Sequence, residues 1–491
     1  MPLSGTTPPT RGPELLVEID RDGGEGLRRQ LENALRDGIR TGRLRARQRL
    51  PSTRTLARDL GVSRRLVVEA YELLIAEGYL MGRPGSGTHV AESGASAPAP
   101  APPVRPRVLA YDFFPGTADL AGFPRAAWGR THAEVLREAP AHVLGYPDPR
   151  GAPGLPEALA DHLRRVRGLA VEPERIVVCA GASHGLWLLA RALSVAGPAL
   201  VAMEEPSLPP HRRVLLDAGA RVVSVEVDEA GLSVAGLRRT AATAVVVTPA
   251  HQFPTGVGLS PQRRGALVDW ARAPASGRLI VEDDYDAEFR YDRTALGALQ
   301  GLAPEQVAYV GSASKTLAPG LRLGWLVVPA HLLDEVVALR RHTDMGSPVL
   351  EQLTFAALLT STRYDRHLRQ ARRRHRARRR ALMAALAQAL PRARLSGLDA
   401  GLHAVVDLGE AVDERELSRE AARRSVGLYP LSAFYAGEPR LPGRLVLGYA
   451  NHSEEAIGEG VRRLAQAVAE VRRLRVRQTS HAQTPKPGST A

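Results

Sequence analysis

Lys315 is one of two lysines in a chain whose other 64 basic residues are all arginine, and the second, Lys486, lies in a polar C-terminal stretch. Arginine serves equally well as generic surface charge. A lysine kept inside GSASKTLAPGLRLG (311–324) therefore points to chemistry that guanidinium cannot do. A primary amine can lose its proton when desolvated and condense with a carbonyl, whereas guanidinium stays protonated. Other reactive types stand at comparable places. RLIVEDDYDAEF (278–289) sets Asp283 and Tyr285 just past an apolar run, and QVAYVGSASKT (306–316) sets Ser312, Ser314 and Lys315 just past another. VVCAGASHGLWLLARAL (177–193) passes from an apolar run through a glycine turn into a helical pattern. There the amides of Ala182, Ser183 and His184 can face an anion with a helix dipole behind them. Arg322, seven residues after the lysine, adds a cation.

An amine, a carboxylate, a phenol, hydroxyls and an anion cradle are what pyridoxal 5'-phosphate requires, and open α/β sheets gather ligands at their strand ends. Each piece also has a plain reading. The acidic pair can be a helix cap, GASHG a simple glycine turn, and His184 and His251 ordinary polar residues near a crevice. Cys179 reads as a small buried apolar group. The cofactor reading is carried by the joint spacing of Asp-x-Tyr, then Ser-x-Ser-Lys, then Arg.

Those residues need a scaffold. RIVVC (175–179), ALVAM (199–203), RVVSV (221–225), AVVVT (244–248), RLIVE (278–282), QVAYV (306–310) and GWLVV (324–328) are separated by helix-length segments. Short Val-rich runs in that arrangement predict a mostly parallel sheet covered on both faces. From about residue 331 the pattern turns helical and then mixed as far as 475, predicting a smaller lobe. ESGASAPAPAPPVRPR (92–107) reads as a semi-extended linker. The chain is thus expected to be multidomain: a DNA-binding module over 14–90, a linker over 91–110, a large α/β domain over 111–330, a small α+β lobe over 331–475 and a disordered tail over 476–491.

In the N-terminal module Leu27, Leu31, Leu35 and Ile39 recur every four residues, marking an amphipathic helix. Ser52 and Ser63 can cap two short helices ending near Gly61 and Gly78, the helix-turn-helix arrangement. Val67, Tyr71 and Leu74 then face inward and Arg64, Arg65 and Val68 outward at the end a recognition helix presents to DNA. YLMGRPGSGTHV (79–90) reads as two strands around a glycine-rich tip, a wing. Between residues 40 and 65 nine arginines face one acid, Asp59. The whole chain carries a formal charge of +14 with a pI near 10.5, which favours an acidic partner. One cysteine permits no intramolecular disulfide, and no apolar run approaches membrane-spanning length or forms a leader. A cytoplasmic setting without membrane or metal is the expectation.

The first segment resembles the winged helix-turn-helix of GntR-type bacterial regulators in its LPS-x-R-x-LA, LGVSR, AY-x-x-L-x-x-EGYL and G-x-GT pattern. That resemblance implies DNA contacts from Ser52, Arg54, Ser63, Arg64, Arg65 and Val68, and from the wing at Arg83, Gly85 and Ser86. Residues 111 to 475 resemble fold-type-I aminotransferases. Joined behind the winged helix, they are similar to the MocR subfamily, on DFFPGTADLAGFP, GYPDPRGAPGLPEAL, TPAHQFPTG, EDDYDAEFRY, SKTLAPGLRLG and LGYANHSEEAI. The resemblance implies that Lys315 forms the internal aldimine, that Asp283 pairs with the pyridinium nitrogen and that Tyr285 bonds the ring oxygen. Ser183, Ser312 or Ser314, and Arg322 would hold the phosphate, with Ala182, His184, Leu208 and Gln252 around the cofactor. Tyr146 would reach in from the partner of a homodimer. The implied function is transcriptional regulation by double-stranded DNA binding, with pyridoxal phosphate or its aldimine with an amine as effector. The alternative is a working aminotransferase with an appended DNA-binding module.

Three positions depart from the resemblance. Leu208 stands where related proteins often stack an aromatic on the ring, and Gln252-Phe253 replaces an Asn before Pro-Thr-Gly. Val446 stands where an Arg often holds a substrate carboxylate, with Arg444 on the same strand face as a substitute. RYDRHLRQARRRHRARRR (363–380) keeps a packed stripe at Tyr364, Leu368, Ala371 and His375, so its arginines are expected to form a solvated outer face rather than a second DNA contact.

Overall fold

The computed structural model describes residues 19–21, 24–83, 87–92, 109–273, 277–291, 297–409, 412–439 and 443–482. It divides into two compact units, residues 1–107 and 108–491.

The first unit holds α1 (Leu27–Arg40), α2 (Thr53–Leu60), α3 (Arg64–Ala76) and the antiparallel pair β1 (Leu80–Arg83) and β2 (Gly87–Val90). Leu31, Leu35 and Ile39 of α1 meet Leu56, Val67, Ala70, Tyr71 and Leu74, and Leu80 and Val90 close the core from the hairpin. Ser52 Oγ accepts from the Thr55 amide at 3.1 Å and Ser63 Oγ from the Leu66 amide at 3.2 Å, so both predicted caps form. Gly61, at φ +61, stops α2 in the left-handed region that glycine adopts freely. Gly85 and Ser86 lie outside the described residues.

The second unit begins with β3 (Tyr111–Asp112), α4 (Arg125–Glu138) and α5 (Leu155–Arg167). Then β4 (Ile176–Cys179), α6 (Ala182–Leu193), β5 (Leu200–Glu205), α7 (Pro209–Asp217), β6 (Arg221–Asp228), β7 (Gly231–Leu232) and α8 (Val234–Arg238) follow. β8 (Ala244–Val247), α9 (Pro261–Arg272), β9 (Leu279–Asp283), β10 (Val307–Ser312) and β11 (Gly324–Val327) complete an eight-stranded sheet in the order β4-β11-β10-β9-β8-β5-β6-β7. β10, β9, β8, β5 and β6 are mutually parallel, while β11 runs antiparallel between β4 and β10. All seven Val-rich runs are strands; those of β4, β8, β9, β10 and β11 are buried because helices cover both faces, whereas in β6, near the sheet edge, only Val225 of the run is buried.

The smaller lobe follows α10 (Ala330–Asp344) and α11 (Val349–Thr360). It contains the end of α12 (Thr362–Ala389), the sheet β12 (Arg394–Ser396), β13 (His403–Asp407) and β15 (Arg444–Gly448), with α13 (Glu414–Arg423), β14 (Val426–Gly427) and α14 (Glu454–Ala482). Three boundaries differ from expectation. α10 and α11, expected in the smaller lobe from residue 331, pack on the large domain, with Val336, Phe355 and Leu358 in the cores that flank its sheet. β3 pairs with β14, and Phe113 sits in the core of the lobe, so the unit's first described residues belong there rather than to the large domain. α14 continues to Ala482, past position 476 where the tail was expected to begin.

Candidate functional site

The carboxyl ends of β5, β9 and β10 and the start of α6 open on a cavity of about 330 Å³. Lys315, Asp283, Tyr285, Ser312, Ser314, Arg322, Ala182, Ser183 and Leu208 all line it. The pleat decides between neighbouring acids. Successive strand residues point to opposite faces. Asp283 enters the cavity, while Glu282 and Asp284 turn into the body, where Glu282 accepts from the Leu299 and Gln300 amides and Asp284 pairs with Arg167 at 2.7 Å.

Lys315 Nζ donates to the Gly116 carbonyl oxygen at 2.6 Å. Burial pulls its pKa down, against the opposing pull of Asp286 and Asp283. An amine so placed is easier to deprotonate, as a nucleophile must be. Asp283 is 4% exposed, and its burial, reinforced by Asp284, pushes its pKa up to about 7. Asp283 Oδ1 is buried with no hydrogen-bond partner among the described residues, while Oδ2 faces His211 Nδ1 at 3.5 Å. His211, held down at about 4 by burial and by Lys315, is neutral. A buried carboxylate oxygen without a donor fits a protonated ring nitrogen, which supplies both the missing hydrogen bond and the missing charge.

The anion cradle is equally local. Ala182 and Ser183 are the first residues of α6, whose amides have no intrahelical acceptor. Gly181, at φ +90, brings the chain close under the Arg322 guanidinium, which also donates to the Ala180 carbonyl. Two amides, the Ser312 and Ser314 hydroxyls and one guanidinium fit a phosphate. His184 is a correction. Its amide donates to the Gly181 carbonyl at 3.1 Å, its ring accepts from the Ala180 amide, and it does not line the cavity, because the helix has already turned by its third residue.

Gln252 is a second correction. It is buried away from the cavity, its Nε2 donating to Glu204 and to the Pro206 and Phe253 carbonyls while its Oε1 accepts from Thr255. Phe253 presents its ring to the cavity instead. Tyr146 is 86% exposed and lines a separate surface groove with Met345 and Leu350. Val446 is fully buried beside Phe253 and Phe434. Arg444 pairs with Asp407 at 3.2 Å and borders a neighbouring opening of about 940 Å³ rather than the cavity around Lys315.

In the first unit Arg54, Arg64 and Arg65 are exposed at one side of the two caps and Val68 is half-buried. Arg65 is tied to Glu69 at 2.8 Å on an exposed helix face. Arg83 ends β1.

The profile for "Aminotransferase class I and II" matches residues 119–464 and that for "Bacterial regulatory proteins, gntR family" matches 27–90. The "Probable rhizopine catabolism regulatory protein MocR" of Rhizobium meliloti is 33% identical, with 92% of this chain and 96% of that one aligned. The chain belongs to the MocR-type GntR regulators. Within this family, the "HTH-type pyridoxine biosynthesis transcriptional regulator PdxR" of Corynebacterium glutamicum is 34% identical over 90% of this chain and 95% of its own. Among solved structures, the α-aminoadipate aminotransferase LysN of Thermus thermophilus, complexed with N-(5'-phosphopyridoxyl)-L-leucine, superposes with a TM-score of 0.68 at 26% identity. The match covers 75% of this chain and 94% of LysN.

Sequence reasoning missed four residues of the site. His211 stands in the first turn of α7, where PPHRR gave it no distinguishing neighbour. Glu204, pushed up to about 7 by burial, lines the cavity and accepts from the Thr248 amide and hydroxyl. His251, read as an ordinary polar residue, is buried with Nδ1 2.9 Å from Asp286 and 3.0 Å from the Tyr285 hydroxyl. Asp286 is the fourth, and only folding brings it to the phenol.

Proposed function

We propose that this chain is a transcriptional regulator that binds double-stranded DNA through its winged unit and pyridoxal 5'-phosphate in the cavity around Lys315. The observation that carries the reading is one cavity holding a desolvated lysine, a carboxylate oxygen without a donor and a helix start, in a chain that also holds a GntR-type winged helix. When bound, the cofactor would supply an aldehyde that primary amines capture. The protein's own groups do the rest. Lys315 supplies a competing amine, Asp283 holds the ring nitrogen, and Tyr285 meets the ring oxygen with His251 and Asp286 fixing its hydroxyl. Ala182, Ser183, Ser312, Ser314 and Arg322 hold the phosphate.

Regulation is favoured over transamination by the small lobe. Val446 offers no cation and Arg444 is engaged by Asp407, so that strand gives an amino-acid carboxylate no anchor. The effector is therefore the vitamer itself or an amino compound. Leu136, Leu144, Tyr146 and Met345 are exposed apolar side chains, and a homodimer would cover them and bring Tyr146 to the partner's cavity. No described helix is long and apolar enough to cross a membrane, and a DNA partner supports a cytoplasmic setting. Footprinting of the DNA upstream of its own gene tests the reading. Protection that changes on adding pyridoxal phosphate is expected; identical protection with and without it, and with candidate amines, would sink the sensing claim.

A further inference from the structure

The helix α12 carries ten arginines between residues 363 and 380 against one acid, Asp365, and the fold sorts them by helical angle. Arg363 pairs with Glu134, Arg374 and Arg378 with Asp119, and Arg379 with Asp399, while Arg372 donates to the Glu288 carbonyl. The remaining five, Arg366, Arg369, Arg373, Arg376 and Arg380, are all exposed. At 3.6 residues per turn they fall within an arc of about 80° and a length of about 21 Å. Among the described residues none of these five has an ion pair, and the one acid bordering their face, Asp365, is engaged by Arg165.

An arginine-rich composition does not produce such a stripe by itself. The other long helix, α14, intersperses Glu454, Glu455, Glu459 and Glu470, and its Arg462, Arg463 and Arg473 are paired along the helix. Like charges at three- and four-residue spacing repel, so α12 bears a cost that a polyanion would remove. Unpaired guanidinium forks can meet phosphates without first giving up an internal partner.

We infer that the outer face of α12 is a second, sequence-independent contact to the backbone of double-stranded DNA, engaging duplex that flanks the site read by the winged unit. This rests on the DNA-binding reading of the first unit. A stripe of about 21 Å faces duplex carrying a charge every ~1.7 Å, enough for each of its arginines to find a phosphate.

The test uses the full chain and its Arg369→Gln/Arg373→Gln/Arg376→Gln variant. Each is titrated with two duplexes from the upstream region of its own gene, one limited to the footprint of the winged unit and one with long flanks. On the long duplex the slope of log affinity against log salt should fall in magnitude by about 2 to 3, at ~0.9 per lost phosphate contact. On the short duplex it should not change, and an unaltered thermal midpoint shows that the variant folds. Equal slopes for parent and variant on the long duplex would overturn the inference, as would an equal loss on both duplexes. Loss of binding to phosphatidylglycerol vesicles with DNA binding intact would assign the face to a lipid surface and likewise overturn it. A parent that binds neither duplex refutes the DNA-binding reading itself, which is a separate failure.

Discussion

Asp283 faces His211 through one carboxylate oxygen, 3.5 Å from Nδ1, and leaves the other buried without a donor. Neither His211, held neutral by burial, nor the sheet behind it satisfies the charge. Its pKa of about 7 means that, from the ordinary carboxylate range up to about 7, the folded protein keeps a proton that the unfolded chain releases. Stability of the cofactor-free protein therefore falls as pH rises through that window, by roughly 4 kcal/mol from this residue. Asp283→Asn should unfold at a higher temperature than the parent at ~pH 8 and show little difference at ~pH 4, because the amide has no charge to bury. Thermal denaturation without cofactor at several pH values measures this. A variant whose midpoint tracks the parent's at every pH would refute the charge assignment.

Arg322→Ala should weaken pyridoxal phosphate binding by roughly 10- to 100-fold, the worth of a charge-assisted hydrogen bond. Pyridoxal, which lacks the phosphate, should bind both proteins alike. Calorimetric titration with the two ligands separates a phosphate contact from a general disturbance of the loop.

The network behind Tyr285 reaches the smaller lobe at Gly401. Its φ of +72 is a left-handed conformation, and a Cβ there would stand 2.6 Å from Asp286 Oδ2 with the His251 ring closer still. Gly401→Ala should cost about 2 kcal/mol or more of stability, from backbone strain and crowding together. If His251 and Asp286 fix the phenol as described, the same change should shift the pH at which the bound cofactor changes colour. An unchanged pH profile in a destabilised protein would reduce the network to packing.

Ser63→Ala removes the side-chain acceptor for the Leu66 amide at the start of α3. A loss of about 1 kcal/mol from the first unit is expected, with weaker DNA binding because Arg64 and Arg65 lie in the turn it caps. Denaturant unfolding and anisotropy titration report the two effects.

The elements were legible where local signals agreed. Both Ser caps, the Gly61 stop and the inward set Val67, Tyr71 and Leu74 form as the sequence predicts, because capping and helical periodicity act within a few residues. The short Val-rich runs likewise located the strand that ends in Asp283 and the one that precedes Lys315. What failed depended on long-range partners. Gln252 was drawn to Glu204, which lies 48 residues earlier in the chain, and Arg444 to Asp407 across a strand pair. His211 and His251 gained meaning only once folding set them against Asp283 and Asp286. β3 joined the smaller lobe because its partner, β14, is contributed more than 300 residues later, a separation no local pattern encodes.

The most direct test joins the cofactor to its amine. Purified protein incubated with pyridoxal phosphate is reduced with borohydride, digested and read by mass spectrometry. A phosphopyridoxyl group on the peptide containing Lys315, absent after Lys315→Ala, is the expected result. Label found on Lys486 or the N-terminus alone, with the Lys315 peptide unmodified, would contradict it.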